Sequence, residues 1–456
     1  MSFIIEDASV PPPPNLPLAP GGYDSRYQEQ FNNILRLYFN RLTALLGQIV
    51  TTPSPIPISI GGTNTDAFGR LRVSQPYTLF DSQNRYAADN QFDVSTTGTG
   101  TTTFLSNEAA VKMEVTGAGV GSVLRQSYRS FPYQPGKGLL VLATFVMDSS
   151  QSLNLTQRVG YYNDQNGVFF QRIDGTYSFV LRSYVTGSVS NVRTVNQSDW
   201  NGDKLDGTGD SGYTLDPTKA QILWMDFEWL GVGSVRCGFI INGEYIVCHT
   251  FTNANEITNV YMTTAILPVR YEIVTTGSAV AASMKSICCS VISEGGFEQT
   301  SIDHVARRTT VLGTIGTTFL PLVSIRLASG RTGAVVLPNR VQVLPTTSQN
   351  YEVALIKNPT LTGATWAATV PSDSNVEYDV AATATTGGTV VQTDYVTSSG
   401  SGGTQSLSAA TGYNFDLQLG ASIAGVSDIY TVAIRTVSGA TTGDAVGSLS
   451  FYDLTQ

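Results

Sequence analysis

Asn242-Gly243 separates two apolar runs, Val235–Ile241 and Glu244–Phe251, and this dipeptide is the tightest constraint on the fold. A two-residue type I′ turn needs positive φ at both central positions, which Asn-Gly supplies at low cost. Counting outward from the turn, Ile241 is expected to face Glu244, Phe239 to face Ile246, Cys237 to face Cys248 and Val235 to face Thr250. That register sets His249 opposite Arg236. Both faces of the hairpin carry apolar residues, which predicts a place inside a sandwich rather than at a wet edge. Just upstream, Gln221–Trp229 alternates: Leu223, Met225, Phe227 and Trp229 point one way, and Ile222, Trp224, Asp226 and Glu228 the other. A period of two marks a half-buried strand. With Val260–Ile266 read as a further strand, the stretch predicts an antiparallel meander at the core of the largest domain.

The rest of the chain reads as mainly β. Thr101–Leu105, Lys112–Val115, Leu139–Met147, Val168–Ile173 and Tyr177–Tyr184 are strand candidates between Gly, Asn and Asp turns. About a dozen strands at this spacing suggest a two-sheet antiparallel jelly roll over residues 66–300, with the order and size of a concanavalin-type sandwich. In residues 301–456 charges thin out and Thr, Ser, Gly and Ala dominate. Phe319–Ile325, Gly333–Leu337, Arg340–Val343, Glu352–Ile356 and Ile429–Arg435 predict a second, smaller β-sandwich there, with Ser398–Thr404 as a flexible loop.

The N-terminal part differs. Residues 1–22 form a proline-rich arm, with Phe3, Ile4 and Ile5 apolar at its tip. It is read either as a disordered tail or as a peptide that docks on a neighbouring subunit. Residues 23–50 predict one amphipathic helix, opened by a Ser25–Gln28 capping box, loosened at Gly47 and stopped by Pro53. Phe31, Ile34, Leu35, Tyr38, Leu42, Leu45 and Ile49 share its apolar stripe. The stripe packs either on its own domain or on other copies; proline segments on both sides leave little local chain to cover it, which favours self-association. Residues 51–65 are a linker. DAFGRLRVS, residues 66–74, reads as a clip between linker and sandwich, with Arg70 and Arg72 on one face.

Several functions are disfavoured. Charged residues are 13% of the chain and the formal net charge is −9. Phosphate binding needs clustered Lys and Arg, so nucleic acid is not expected as a partner. No run of about 18 apolar residues suggests a membrane span. MSFIIEDASVPPPP lacks the basic start of a secretory signal, so synthesis in a cytoplasm and four reduced thiols are expected.

Catalytic motifs are missing as well, and no cofactor is expected. The chain has two histidines and no G-x-S-x-G, H-E-x-x-H or C-x-x-C. Gly207, Gly209 and Gly212 fit G-x-G-x-x-G without the strand-to-helix context, and Asp206 and Asp210 would repel a pyrophosphate. Asp199, Asn201, Asp203 and Asp210 match part of a calcium-loop pattern, with Lys204 where the loop needs Gly. The other reading is a polar loop held by Asx-turns. Asp226 and Glu228, on one strand face, are read as surface or inter-sheet acids rather than a hydrolytic pair.

LDGTGDSGYTLDPTKAQI, DFEWLGVGSVRCGF, VYMTTAILPVRYEI and the upstream DAFGRLRVSQPYTLFDSQNR resemble blocks of a family of virion structural proteins from tailed bacteriophages, especially marine ones. YDSRYQEQFNNILRLYFNRL resembles the N-terminal helix of many cyanophage virion proteins. The resemblance covers roughly residues 60–300. It implies a virion protein, assembled in the host cytoplasm and homotrimeric, whose partners are itself and other tail or capsid proteins. A tail fibre or tail-associated appendage, anchored by arm and helix, is the first reading. A capsid decoration protein is the alternative, and a glycan-degrading tailspike enzyme or a secreted lectin ranks below both. A host-surface receptor or glycan is a further candidate partner, expected at loops such as Asp199–Asp216 or Ser398–Thr404.

Overall fold

The structure is a computed structural model that describes residues 22, 24–51, 75–117, 119–148, 153–277, 281–298, 301–368, 374–397, 405–408, 415–438 and 442–455, with backbone alone for 43–51 and 405–408. The chain divides into two compact units, Met1–Val73 and Ser74–Gln456. It is mainly β, with antiparallel sheets and one α-helix among the described residues.

The first unit contains the helix, Ser25–Thr51. Its cap is Asp24 and not the expected Ser25–Gln28 box. The Asp24 carboxylate accepts from the Arg26 amide at 2.8 Å and the Tyr27 amide at 3.4 Å. An aspartate satisfies orphan amides of the first turn and meets the positive end of the helix dipole, so the helix starts at Ser25, one residue earlier than a Ser25 cap requires. Gly47 lies inside the helix, which runs on to Thr51. Phe31, Ile34, Leu35, Tyr38 and Leu42 are half-buried, while Leu37 and Phe39 are exposed. The arm with Phe3, Ile4 and Ile5, the side chains of Leu45 and Ile49, the DAFGRLRVS segment and the Ser398–Thr404 loop lie outside the described residues.

In the second unit, strands between Tyr77 and Ser293 build a jelly-roll sandwich. One sheet of the described residues has the order Glu244–Phe251, Val235–Ile241, Gln221–Phe227, Leu139–Met147, Ala282–Ser293, Ala110–Val115, Gly100–Leu105, with Tyr77–Gln83 also on Ala282–Ser293. The facing sheet runs Ser190–Asn196, Thr176–Ser183, Gly167–Ile173, Leu155–Tyr162, Val269–Thr275, Gly121–Ser127, Phe92–Gly98. Alternation decides what faces inward. In Leu139–Met147 every second residue, from Leu139 to Met147, is buried. Aromatic rings fill the space between sheets: Phe170 lies 5.9 Å from Phe145, 5.5 Å from Phe179 and 5.2 Å from Phe239.

Strands between Asp303 and Asp453 form a second pair of sheets. One comprises Asp303–Ile315, Gly443–Asp453, Val336–Pro345 and Gln405–Ser408. The other is led by Leu320–Leu327, Ile429–Thr436, Asn350–Lys357 and Thr389–Thr397. The two sandwiches share side chains. Val335, Leu337 and Phe415 belong to the first core. The Phe415 ring packs 6.0 Å from Tyr77 and 5.1 Å from Phe297.

Two parts of the predicted meander are corrected. Val260–Ile266 is a loop, not a strand; the strand that follows is Val269–Thr275, and it pairs in the facing sheet with Gly121–Ser127 and Leu155–Tyr162. The loop is a crossing between sheets whose polar backbone is met by side chains. The Trp229 indole donates to the Met262 carbonyl at 3.2 Å, and the Tyr161 hydroxyl to the Ala265 carbonyl at 2.9 Å. Its apolar residues Tyr261 and Met262 are buried by that crossing, which is why they mimic a strand. The hairpin strand Glu244–Phe251 is also an edge strand of its sheet, against the expected interior place.

Candidate functional site

The hairpin register holds near the turn and then slips. Ile241 faces Glu244 and Phe239 faces Ile246, but Gly238 faces Val247 and Cys237 faces His249. Cys248 is thus the extra residue of a β-bulge, and Val235 meets Phe251 instead of Thr250. The free side of the strand is occupied: the amides of Gly202 and Asp203 donate to the carbonyls of Cys248 and Val247, each at 2.9 Å. Asn201 extends this cover through its side chain, accepting from the Thr250 amide at 2.8 Å and donating to the Thr250 carbonyl at 2.9 Å. A covered, bulged edge is protected against pairing with another chain.

The bulge turns His249 inward. It is buried, accepts from the Asn201 amide at 3.3 Å through Nδ1, and packs edge-on against Phe251. Burial, with the Arg193 guanidinium second, lowers its pKa to about 4. The cation beside it is therefore Arg193 and not the expected Arg236, which pairs with Asp226 across the strands. Cys237, Cys248 and Cys289 are buried thiols and Cys288 is exposed.

Two of the calcium-pattern residues, Asn201 and Asp203, bond the backbone. Asp203 accepts from the Leu205 amide and the Ser211 amide, both at 2.8 Å, and these bonds hold its carboxyl below the usual range against the opposing effect of desolvation. Asp206 and Asp216 each accept from the amide two residues on, at Thr208 and Thr218. These are the Asx-turns of the other reading. Asp199 and Asp210 are exposed, and Asn201 serves the edge strand. Among the described residues no three His, Cys, Asp or Glu come together as a metal site. Asp226 stands beside Glu294, whose carboxyl is raised by burial and then by Asp226, while Glu228 falls in the turn after the strand. The two acids read as one strand face are thus separated by the strand's end.

A second assembly is not visible as a motif. On the outer face of the second sheet of the jelly roll, Tyr162, Phe169 and Val180 form a small buried cluster. Guanidinium groups roof it: Arg182 lies 5.5 Å from the Tyr162 ring centre and 4.9 Å from that of Phe169. Arg270 lies 5.2 Å over Tyr162, and Arg158 lies 5.8 Å over Phe169. Such stacking stabilises a desolvated cation by about 1–2 kcal/mol. Arg158 pairs with Glu272 at 2.8 Å, and the Tyr162 hydroxyl donates to the same carboxylate at 3.3 Å. Arg182 donates to Asn191 and to the Asn163 carbonyl, and burial and then Arg158 lower its pKa. Arg270 meets Asp164 at 2.6 Å and Gln126 at 2.8 Å. The only sequence sign is an arginine at an outward position on each of three strands, and Arg270 and Glu272 stand within VYMTTAILPVRYEI.

The seam between the two sandwiches opens into hollows. One, of about 830 Å³, carries Arg129, Lys357, Asp416 and Asp428, whose charges meet one another at 3.8 Å (Arg129–Asp416) and 3.1 Å (Lys357–Asp428). Another, of about 250 Å³, is lined by Arg270, Asp164, Gln126 and Asn163 from the jelly roll and by Thr332, Ser422 and Ile423 from the second sandwich.

No protein-family model matches the chain, and no curated protein matches it. Solved structures similar to part of it include the carbohydrate recognition domain of Emp47p, with 8% identity over 51% of this chain and 100% of that one and a TM-score of 0.30. Peanut lectin with a bound nine-residue peptide has 12% identity over 48% and 98%, with a TM-score of 0.29. A glycosyl hydrolase family protein from Mycobacterium fortuitum has 9% identity over 47% and 99%, with a TM-score of 0.29.

Proposed function

We propose that the chain is a structural component of a tailed-bacteriophage virion, a trimeric tail fibre or tail-associated appendage that presents two fused β-sandwiches. The observation that carries this reading is the use made of the blocks that resemble phage virion proteins. Within them several acids and ring N–H and O–H groups are engaged in turns, loop ties and an ion pair. Asp206 and Asp216 close turns, Trp229 and Tyr261 tie the crossing loop, and Asp226 pairs with Arg236. Catalysis needs tuned groups that converge on a substrate, whereas these are consumed in holding a rigid shape. The arm and helix are the anchor in this reading, and the sandwiches are what is displayed.

Particle assembly tests it. A chain lacking residues 1–22 is expected to fold in both sandwiches and to fail to enter particles in a complementation assay, while antibody against the sandwiches labels wild-type virions at the tail. Normal occupancy by the shortened chain would place the anchor elsewhere.

A further inference from the structure

We propose that the 250 Å³ cavity of the seam binds the carboxylate of one acidic sugar unit, with Arg270 as receptor and Asp164 as a displaceable internal counterion. The inference deepens the display role proposed above and rests on it for its biological setting alone.

The pairing of Arg270 with Asp164 is lopsided. The arginine side chain is 5% exposed and the aspartate 86%. A buried guanidinium keeps its proton and needs a counter-charge. Holding a solvated carboxylate in place for that purpose contributes little. Among the described residues Asp164 meets Arg270 through one hydrogen bond, Nη1 to Oδ1 at 2.6 Å, while Nε and Nη2 donate to the Gln126 side-chain oxygen at 2.8 and 2.5 Å. A ligand carboxylate that meets both Nη1 and Nη2 replaces one charge-assisted hydrogen bond by two. The surroundings favour an anion. Arg158 and Arg182 lie on the same sheet face, and Glu272 is already engaged by Arg158 and Tyr162. When Asp164 swings away, positive charge is left in excess.

The remaining lining decides for a sugar over a bare oxyanion. Thr332, Ser422, Asn163 and Gln165 offer neutral groups that both donate and accept, which suits ring hydroxyls. The volume is below the roughly 300–1,000 Å³ of sites for drug-sized ligands, and suits one ring. The neighbouring 830 Å³ hollow holds a similarly lopsided pair, Arg129 and Asp416 at 3.8 Å, but there Arg129 also donates to the Phe415 carbonyl and to Gln91, and a buried carboxylate, Asp428, lines the space and disfavours an anion.

The test is a ligand-observed NMR titration of the full chain with sodium glucuronate, glucose and sodium sulfate. Glucuronate is expected to bind at least about tenfold more tightly than either of the others. Asp164→Asn removes the internal competitor and is expected to tighten glucuronate binding several-fold. Gln165→Trp fills the cavity from an exposed position and is expected to abolish binding. Arg270→Lys loses the planar fork and is expected to weaken binding about tenfold; if it fails to fold, the two exposed-site variants decide. Equal binding of glucose, sulfate as tight as glucuronate, weaker binding by Asp164→Asn, unchanged binding by Gln165→Trp, or no glucuronate binding at all each overturns the proposal. None of these readouts involves virions, so failure here and failure of the assembly reading are separately visible.

Discussion

Gly238 and Trp224 face each other across two strands, and the indole donates to the Ile246 carbonyl of the next strand at 3.2 Å. A Cβ on Gly238 would lie 1.8 Å from that carbonyl oxygen and 2.9 Å from the indole nitrogen. Neither is the free end of a flexible chain, so Gly238→Ala must shift backbone. A loss of about 1–3 kcal/mol is expected, read as a lower urea midpoint at unchanged slope. His249 gives a prediction with a sign. Its folded pKa, about 4, is below the ordinary 6.5. Between those values the unfolded chain binds a proton that the folded chain does not, so stability falls as pH drops from about 6.5 to about 4. Above that window the residue contributes no pH dependence, and below it both states are protonated. Urea midpoints at stepwise pH should therefore fall less steeply for His249→Gln than for wild type; parallel profiles would show that the imidazole is not responsible.

At the level of elements, the sequence was readable where strong local signals agree. Leu139–Met147 has the bounds that alternation predicts, and Asn242-Gly243 sets the first pairs of its hairpin. The bulge at Cys248 was not readable, because Val-Cys-His fits either register and the deciding contacts come from Gly202 and Asp203, distant in sequence. The strands Asp303–Ile315 and Gly443–Asp453 carry no alternating signal in the sequence, because their inward positions include Ala306, Ala445 and Gly447, too small to mark a stripe. The arginine roof is hidden for a third reason: Arg158, Arg182 and Arg270 become neighbours only once the strand order is known. The helix Ser25–Thr51 carries the element-level prediction. Phe39 is 56% and Leu37 55% exposed, beside the half-buried Phe31, Ile34 and Tyr38. Packing such a stripe on copies of itself removes apolar surface from water at about 25 cal/mol per Å². Sedimentation of the full chain is expected to give a trimer, and of a chain starting at Gly61 a smaller species. The same state for both would exclude the helix as the assembly element.

At the scale of the second unit, its two sandwiches are expected to unfold as one. Beads on a string would each close their own core, but here the first core includes Val335, Leu337 and Phe415 from the second sandwich. Polar bonds cross the seam beside them. The Gln418 side chain donates to the Ser130 carbonyl at 2.7 Å, the Ile423 amide to Asp93 at 2.7 Å, and the Ala421 amide to the Tyr128 carbonyl at 2.8 Å. Arg129, buried and stacked 5.0 Å from the Phe80 ring, donates to the Phe415 carbonyl. Separating the sandwiches would exchange each of these bonds for bonds to water, a loss of about 0.5–1.5 kcal/mol apiece. Phe415→Ala therefore acts on both. It should cost about 3–5 kcal/mol and lower the hydrogen-exchange protection of Gln221–Phe227 and Leu320–Leu327 together, although those strands lie in different sandwiches. Calorimetry of the wild-type unit should show one transition whose calorimetric and van't Hoff enthalpies agree. Loss of protection confined to Leu320–Leu327, with two separate transitions, would mean that the seam is a contact between independent domains. The cavity beside Arg270 would then change shape with their relative motion, whereas a seam that melts only with the whole unit holds Arg270 and Ser422 in fixed relation.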